Sequence, residues 1–133
     1  MNTDRDRRKV LKMLPALAIA APSGALHRTP AIDDRQLAAA VLDVFAQRDT
    51  AIMIGAAYLE ERPQEASFSN LMTRLRADLD LAGWYRGGAG KTELHNRLQA
   101  RAAVDYSRDD GAEVAGCYLS VTELRLYALS TFV

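Results

Sequence analysis

Residues 116–129 read Gly-Cys-Tyr-Leu-Ser-Val-Thr-Glu-Leu-Arg-Leu-Tyr-Ala-Leu, and they leave little freedom in how this chain ends. A short strand has to turn into a helix there. Ser120 is a good N-cap, and Glu123 stands three residues on. The pair spells an S-x-x-E capping box, which satisfies two backbone N–H groups that a helix start leaves free. Leu119 precedes the cap and Leu124 is the fourth helical residue, the spacing of a hydrophobic staple that sets the entry angle. Leu124, Tyr127, Ala128 and Thr131 then share one side, which predicts the buried face of the last helix. All of this is folding chemistry; no residue of the stretch is in a catalytic pattern.

The rest of the chain must supply what this helix packs on. With 133 residues there is room for one domain, and 49% apolar with 26% charged residues suits a folded one. Formal net charge is zero, so neither a basic field for nucleic acid nor an acidic solvating tail is implied. No apolar run reaches the ~18 residues of a membrane-spanning helix. Cys117 is the one cysteine, which excludes an internal disulfide.

The first 25 residues have their own layout. Asp6-Arg7-Arg8-Lys9-Val10-Leu11-Lys12 is followed by an apolar stretch, 13–21, and then by Pro22-Ser23-Gly24-Ala25. That order is a basic segment, a short apolar segment and a small-x-small cleavage site ending at Ala25. Paired arginines followed by x-Val-Leu-Lys resemble the twin-arginine (Tat) export signal, usually S/T-R-R-x-F-L-K. Asp6 and Val10 depart from it. The resemblance implies the Tat machinery as a partner, with Arg7 and Arg8 as the export signal, and a periplasmic destination. The alternative is a basic amphipathic helix kept on a cytoplasmic protein. Cleavage after Ala25 would remove five of 17 basic and two of 17 acidic residues, leaving a mature formal charge of −3.

After a tether at 26–32, residues 33–133 read as a single, mainly helical domain of about five helices. Asp33 caps the first, which carries Leu37, Val41, Leu42 and Phe45 inward to about Gln47. Asp49 caps the second, with Ile52, Met53, Ala56 and Leu59 inward; it ends near Glu61 because Pro63 restricts Arg62. A third runs from about Ser67 to Ala82 with Phe68, Leu71, Leu75 and Leu79 in a stripe and Gly83 as its stop. Trp84 to Lys91 reads as a glycine-rich loop. A fourth helix starts at Thr92 and carries Leu94, Leu98 and Ala102 inward to about Tyr106. Asp109-Asp110-Gly111 is a turn, and 113–115 with 117–119, hinged at Gly116, form a short β-hairpin before the last helix.

Several patterns imitate functional motifs. Gly88-Ala89-Gly90-Lys91-Thr92 has the end of a phosphate-binding P-loop, but Tyr85 stands where the first glycine is required and a helix, not a strand, precedes. Val114-Ala115-Gly116-Cys117 has lipoprotein-box letters far from any signal, so Cys117 reads as a small apolar strand residue. A calcium loop from Asp105 would need glycine at Asp110 and glutamate at Gly116, which leaves a looser calcium site or a solvated acidic turn. His27 lies in the tether and His95 beside Glu93 on a helix, with no partner at metal-ligand or nucleophile spacing. Asp78 and Asp80 are two apart on a helix and do not face each other. The reading therefore names no catalytic residue, no metal and no cofactor.

Trp84-Tyr85-Arg86 remains. A lone tryptophan most often folds back over the core. The alternative is that Trp84 and Tyr85 contact a partner, since aromatics and arginine are favoured at interfaces. The C-terminal pattern G-x-x-L-S-x-T-E-x-R-L-x-A-L, complete in Gly116 to Leu129, resembles the end of a group of small exported bacterial proteins. In size, signal and helical character the chain is also similar to small subunits of exported flavin-linked sugar and alcohol dehydrogenases. That resemblance implies an accessory or escort subunit of a periplasmic complex; the alternative is a small periplasmic enzyme.

Overall fold

The computed structural model describes residues 31–45 and 47–133. The signal reading at 1–25, with Arg7, Arg8 and Ala25, and most of the tether lie outside the described residues. The described part is mainly helical, with six α-helices and one two-stranded antiparallel hairpin just before the last helix. The helices are α1 (Asp34–Leu42), α2 (Arg48–Glu61), α3 (Phe68–Leu79), α4 (Leu81–Arg86), α5 (Lys91–Ser107) and α6 (Val121–Leu129). The strands β1 (Gly111–Val114) and β2 (Cys117–Ser120) lie between α5 and α6.

The C-terminal junction forms where the sequence places it. Ser120 is both the last residue of β2 and the N-cap of α6, and its Oγ accepts from the Glu123 N–H at 3.2 Å. Strand thus passes into helix with no linker. The hairpin pairs Gly111 with Ser120 and Val114 with Cys117, so its turn is Ala115-Gly116. Both turn residues have positive φ, 53° and 81°, the geometry that matches the twist of two paired strands.

The last helix is more central than one inward face implies. Thr122, Leu124, Leu126, Ala128 and Leu129 are all buried, because α6 packs against α2, α3 and α5 at once. Tyr127 and Thr131, expected inward, are half-buried. Around α6 the core is completed by Leu37 and Val41 of α1, Ile54 and Tyr58 of α2, and Leu71, Met72, Leu75 and Leu79 of α3. Leu81 and Trp84 of α4 and Leu94 of α5 close it.

Local chemistry sets most boundaries. Asp33 caps α1 by accepting from Arg35 N–H at 3.3 Å, and Ser67 caps α3 by accepting from Asn70 N–H at 3.2 Å. Helix α1 ends at Leu42 rather than Gln47, its last turn tightened by Val44 N–H to Val41 O and Phe45 N–H to Leu42 O bonds. Helix α2 begins at Arg48 with Asp49 in its first turn, so Asp49 favours the helix dipole there and is not the cap. Arg62, at φ −131° and ψ 68°, leaves the helical region before Pro63, which opens a 3-10 turn at Pro63–Glu65.

The loop reading at Trp84 to Lys91 is corrected. Asp80, not Gly83, ends α3: it sits in the left-handed region at φ 47°, which aspartate tolerates. Its side chain then accepts from Gly83 N–H at 3.4 Å and so caps α4. Trp84 and Tyr85 are consequently helical residues. Arg97 of α5 secures the corner by donating to the carbonyls of Leu79 and Asp80 at 3.0 and 3.1 Å.

Candidate functional site

Helix α2 faces the core with the other half of its sequence. Ala51, Ile54, Gly55 and Tyr58 are buried. Ile52 and Met53, expected inward, are 40% and 60% exposed, Ala56 is exposed and Leu59 half-buried. Gly55 and Tyr58 explain the rotation. A Cβ at Gly55 would collide with the backbone of Tyr127 and Ala128, so only the glycine side of α2 can approach α6 this closely. Tyr58 on the same side donates its hydroxyl to Glu65 Oε2 at 2.7 Å. The apolar stripe Ile52-Met53-Ala56 is thereby left in solvent, between exposed Asp49 at one end and exposed Glu60 at the other.

The second feature is a ladder of charges under a cleft. Glu65 is 7% exposed and accepts from Tyr58 Oη and from Arg125 Nε, each at 2.7 Å. Burial pushes the Glu65 carboxyl up, but the Arg125 and Tyr58 hydrogen bonds outweigh it and hold the group below its ordinary value. Burial, with the Glu65 hydrogen bond adding to it, pushes the Tyr58 phenol up to about 12. At the other end Asp105 of α5 is fully buried. It accepts from Thr122 N–H at 3.1 Å and Thr122 Oγ1 at 2.6 Å, and from Arg101 Nε at 3.2 Å. Asp78 stands between the two arginines, 3.7 Å from Arg101 Nη1 and 3.8 Å from Arg125 Nη1. Asp78 and the two arginines line a cleft of about 500 Å³, together with Arg62, Arg74, Asp109 and Asp110.

The residues singled out by sequence are placed as follows. Trp84 is fully buried and its Nε1 donates to Gly90 O at 2.8 Å, so it belongs to the core and is not offered to a partner. Tyr85 is half-buried against the same core. Cys117 is an exposed free thiol on β2. His95 is exposed and meets the edge of Phe45 at 6.4 Å between ring centroids. Among the described residues no group of three His, Cys, Asp or Glu side chains is placed to hold a metal ion. Among them, too, no helix is long and apolar enough to cross a membrane.

Two residues of the ladder escape sequence reading for different reasons. Asp105 was readable: it continues the inward α5 series Leu94, Leu98, Ala102, where an acid signals a buried partner. Glu65 carried no such sign, since its partner Arg125 is 60 residues away. Close to the junction, burial raises the Glu123 carboxyl above its ordinary value, against hydrogen bonds from Ser120 and Tyr106. Compared with known protein families, curated proteins and solved structures, the chain matches none.

Proposed function

We propose that this protein is an exported accessory or escort subunit, carried to the periplasm by the twin-arginine route, which acts through protein contact. The observation that carries the reading is helix α2, apolar on both sides of its axis. A helix of that kind is ordinarily buried all round. Here Ile54 and Tyr58 face the core while Ile52, Met53 and Ala56 face solvent. Adjacent exposed apolar residues on one helix serve no purpose in the monomer and suit a surface that a partner covers. The Arg7-Arg8 signal supports export, and the Tat route suits a small domain that folds before it travels. The outer face of α2 replaces the Trp84–Tyr85 corner as the contact surface.

The test is recovery of the tagged full chain from cell fractions of its own host. Processed protein in the periplasm, held in stoichiometric complex with one protein identified by mass spectrometry, is the expected result. Replacing Ile52 and Met53 by Ser should release that partner and move unfolding by no more than about 0.5 kcal/mol, as for other exposed positions. Arg7→Lys with Arg8→Lys should leave precursor in the cytoplasm, since a paired guanidinium is not replaced by charge alone. A periplasmic protein that migrates alone, or a complex indifferent to both serines, would defeat the contact reading; normal export of the lysine variant would defeat the route.

A further inference from the structure

We propose that the cleft over the charge ladder binds a small oxyanion, a carboxylate or phosphate group, with Arg101 and Arg125 as its fork and Arg62 and Arg74 at its rim. A guanidinium has five N–H donors in a rigid plane. Among the described residues Arg101 and Arg125 each make one side-chain hydrogen bond, both through Nε and both to a buried carboxylate. That anchoring fixes each plane in advance, so little rotamer freedom is left to lose when a ligand arrives. The terminal nitrogens are not engaged in the same way. Asp78 lies 3.7 and 3.8 Å from the two Nη1 atoms, too far for a hydrogen bond, and balances them by charge alone. No buried side-chain nitrogen or oxygen among the described residues lacks a partner. The unfilled donors of Arg101 and Arg125 are therefore the accessible ones, and both residues line the cleft.

The walls refine the ligand. Among the described residues Arg74 makes no ion pair, and Arg62 pairs with Glu65 alone, at 3.8 Å, with its guanidinium over the Tyr58 ring at 5.5 Å. Both are available to close on an anion, with the planar, two-point geometry that suits carboxylate and phosphate oxygens. Asp109 and Asp110 also line the cleft, where they repel an anion from their part of it and would accept a cationic group if the ligand carried one. The volume of about 500 Å³ accommodates a small molecule. Asp78 then acts as the resident competitor, held where an incoming oxyanion would displace its charge.

Isothermal titration of the full chain with inorganic phosphate in one arm and succinate in the other, at constant ionic strength in chloride, tests this. Saturable binding in at least one arm is expected, and the arm that binds identifies phosphate or carboxylate as the group recognised. Asp78→Asn should tighten binding roughly tenfold by removing the competitor, and Arg74→Gln should weaken it by a similar factor. Circular dichroism checks that both variants are folded. Should Asp78→Asn fail to fold, Asp110→Asn, at an exposed lining residue, removes a repelling charge and tightens binding in the same direction. Absence of binding in both arms for the wild type and the asparagine variant overturns the proposal. So does binding unaltered by all of these substitutions, which would place the anion elsewhere, such as on the N-terminal arginines.

Discussion

Replacing Glu65 by Gln should be among the most damaging single-atom changes this fold can suffer. The carboxylate takes two short hydrogen bonds, from Tyr58 and from Arg125, each at 2.7 Å. An amide oxygen can still accept from Arg125 Nε and its NH2 can donate to the Tyr58 hydroxyl, but neither bond keeps the carboxylate's charge. Losing the charge from both bonds, the Arg125 pair above all, costs about 1.5–3 kcal/mol. Arg125, with 12% of its side chain exposed, is then left with Asp78 at 3.8 Å as its nearest counter-charge. Asp78 limits the penalty, so a total of about 2–4 kcal/mol is expected, below the upper end for breaking a buried pair. Urea unfolding at neutral pH measures it.

The pH dependence makes this prediction specific to charge. Glu65 is held below its ordinary value in the fold, so the unfolded state binds the proton more readily. The pair's stabilisation is complete above the unfolded carboxyl value of about 4.3 and fades as pH falls through the depressed folded value. The cost of Glu65→Gln should therefore shrink in acid. Arg125→Met should follow the same direction more steeply: it leaves a buried carboxylate unpaired, raises its value, and costs more as pH climbs. The double variant should be less unstable than the two single costs added, by about 1.5–3 kcal/mol of coupling. A Glu65→Gln cost under about 0.5 kcal/mol at neutral pH, or one that does not change in acid, would refute the account of the ladder.

Two further predictions address packing. Gly55→Ala should cost several kcal/mol in urea unfolding despite its gain in helix propensity, because the added Cβ meets the α6 backbone at Tyr127 and Ala128; a neutral or stabilising result would mean that α2 and α6 are not in close contact. Ser120→Ala should cost about 1 kcal/mol through the lost bond to Glu123 N–H, and Leu124→Ala about 2–5 kcal/mol as a buried leucine; equal and negligible effects would remove the junction from the centre of the fold.

What the sequence disclosed is whatever a few neighbouring residues decide among themselves. The Ser67 and Ser120 caps, the stop at Arg62 before Pro63 and the hairpin at Gly116 are all settled within four residues of chain. The α4 turn does not show in the sequence because glycines at Gly83 and Gly87 suggest a loop, whereas Asp80 capping Gly83 N–H makes the first of them a helix residue. Helix α2 shows a different limit. Periodicity finds two apolar stripes on it, one through Ile52 and Ala56 and one through Ile54 and Tyr58, and has no means of choosing. The choice is made by a backbone 72 residues away in sequence, at Tyr127, which only Gly55 can approach. The ladder was hidden for the same reason, apart from Asp105, which stood on an inward face.

These long-range choices trace back to the junction. Because Ser120 closes β2 and caps α6, the register of the hairpin also sets the rotation of the last helix. Two bonds fix that rotation: Val121 N–H to Asp110 O at 2.9 Å and Thr122 N–H to Asp105 Oδ2 at 3.1 Å. A slip of one residue would turn every α6 side chain by about 100° about the helix axis. Arg125 would leave Glu65, Thr122 would leave Asp105, and Leu124 and Ala128 would leave the core together. The cleft and the core thus depend on the same short segment. The buried carboxylates Glu65 and Asp105 resist a slip as strongly as the leucines do, since each would be left in the interior without its partner.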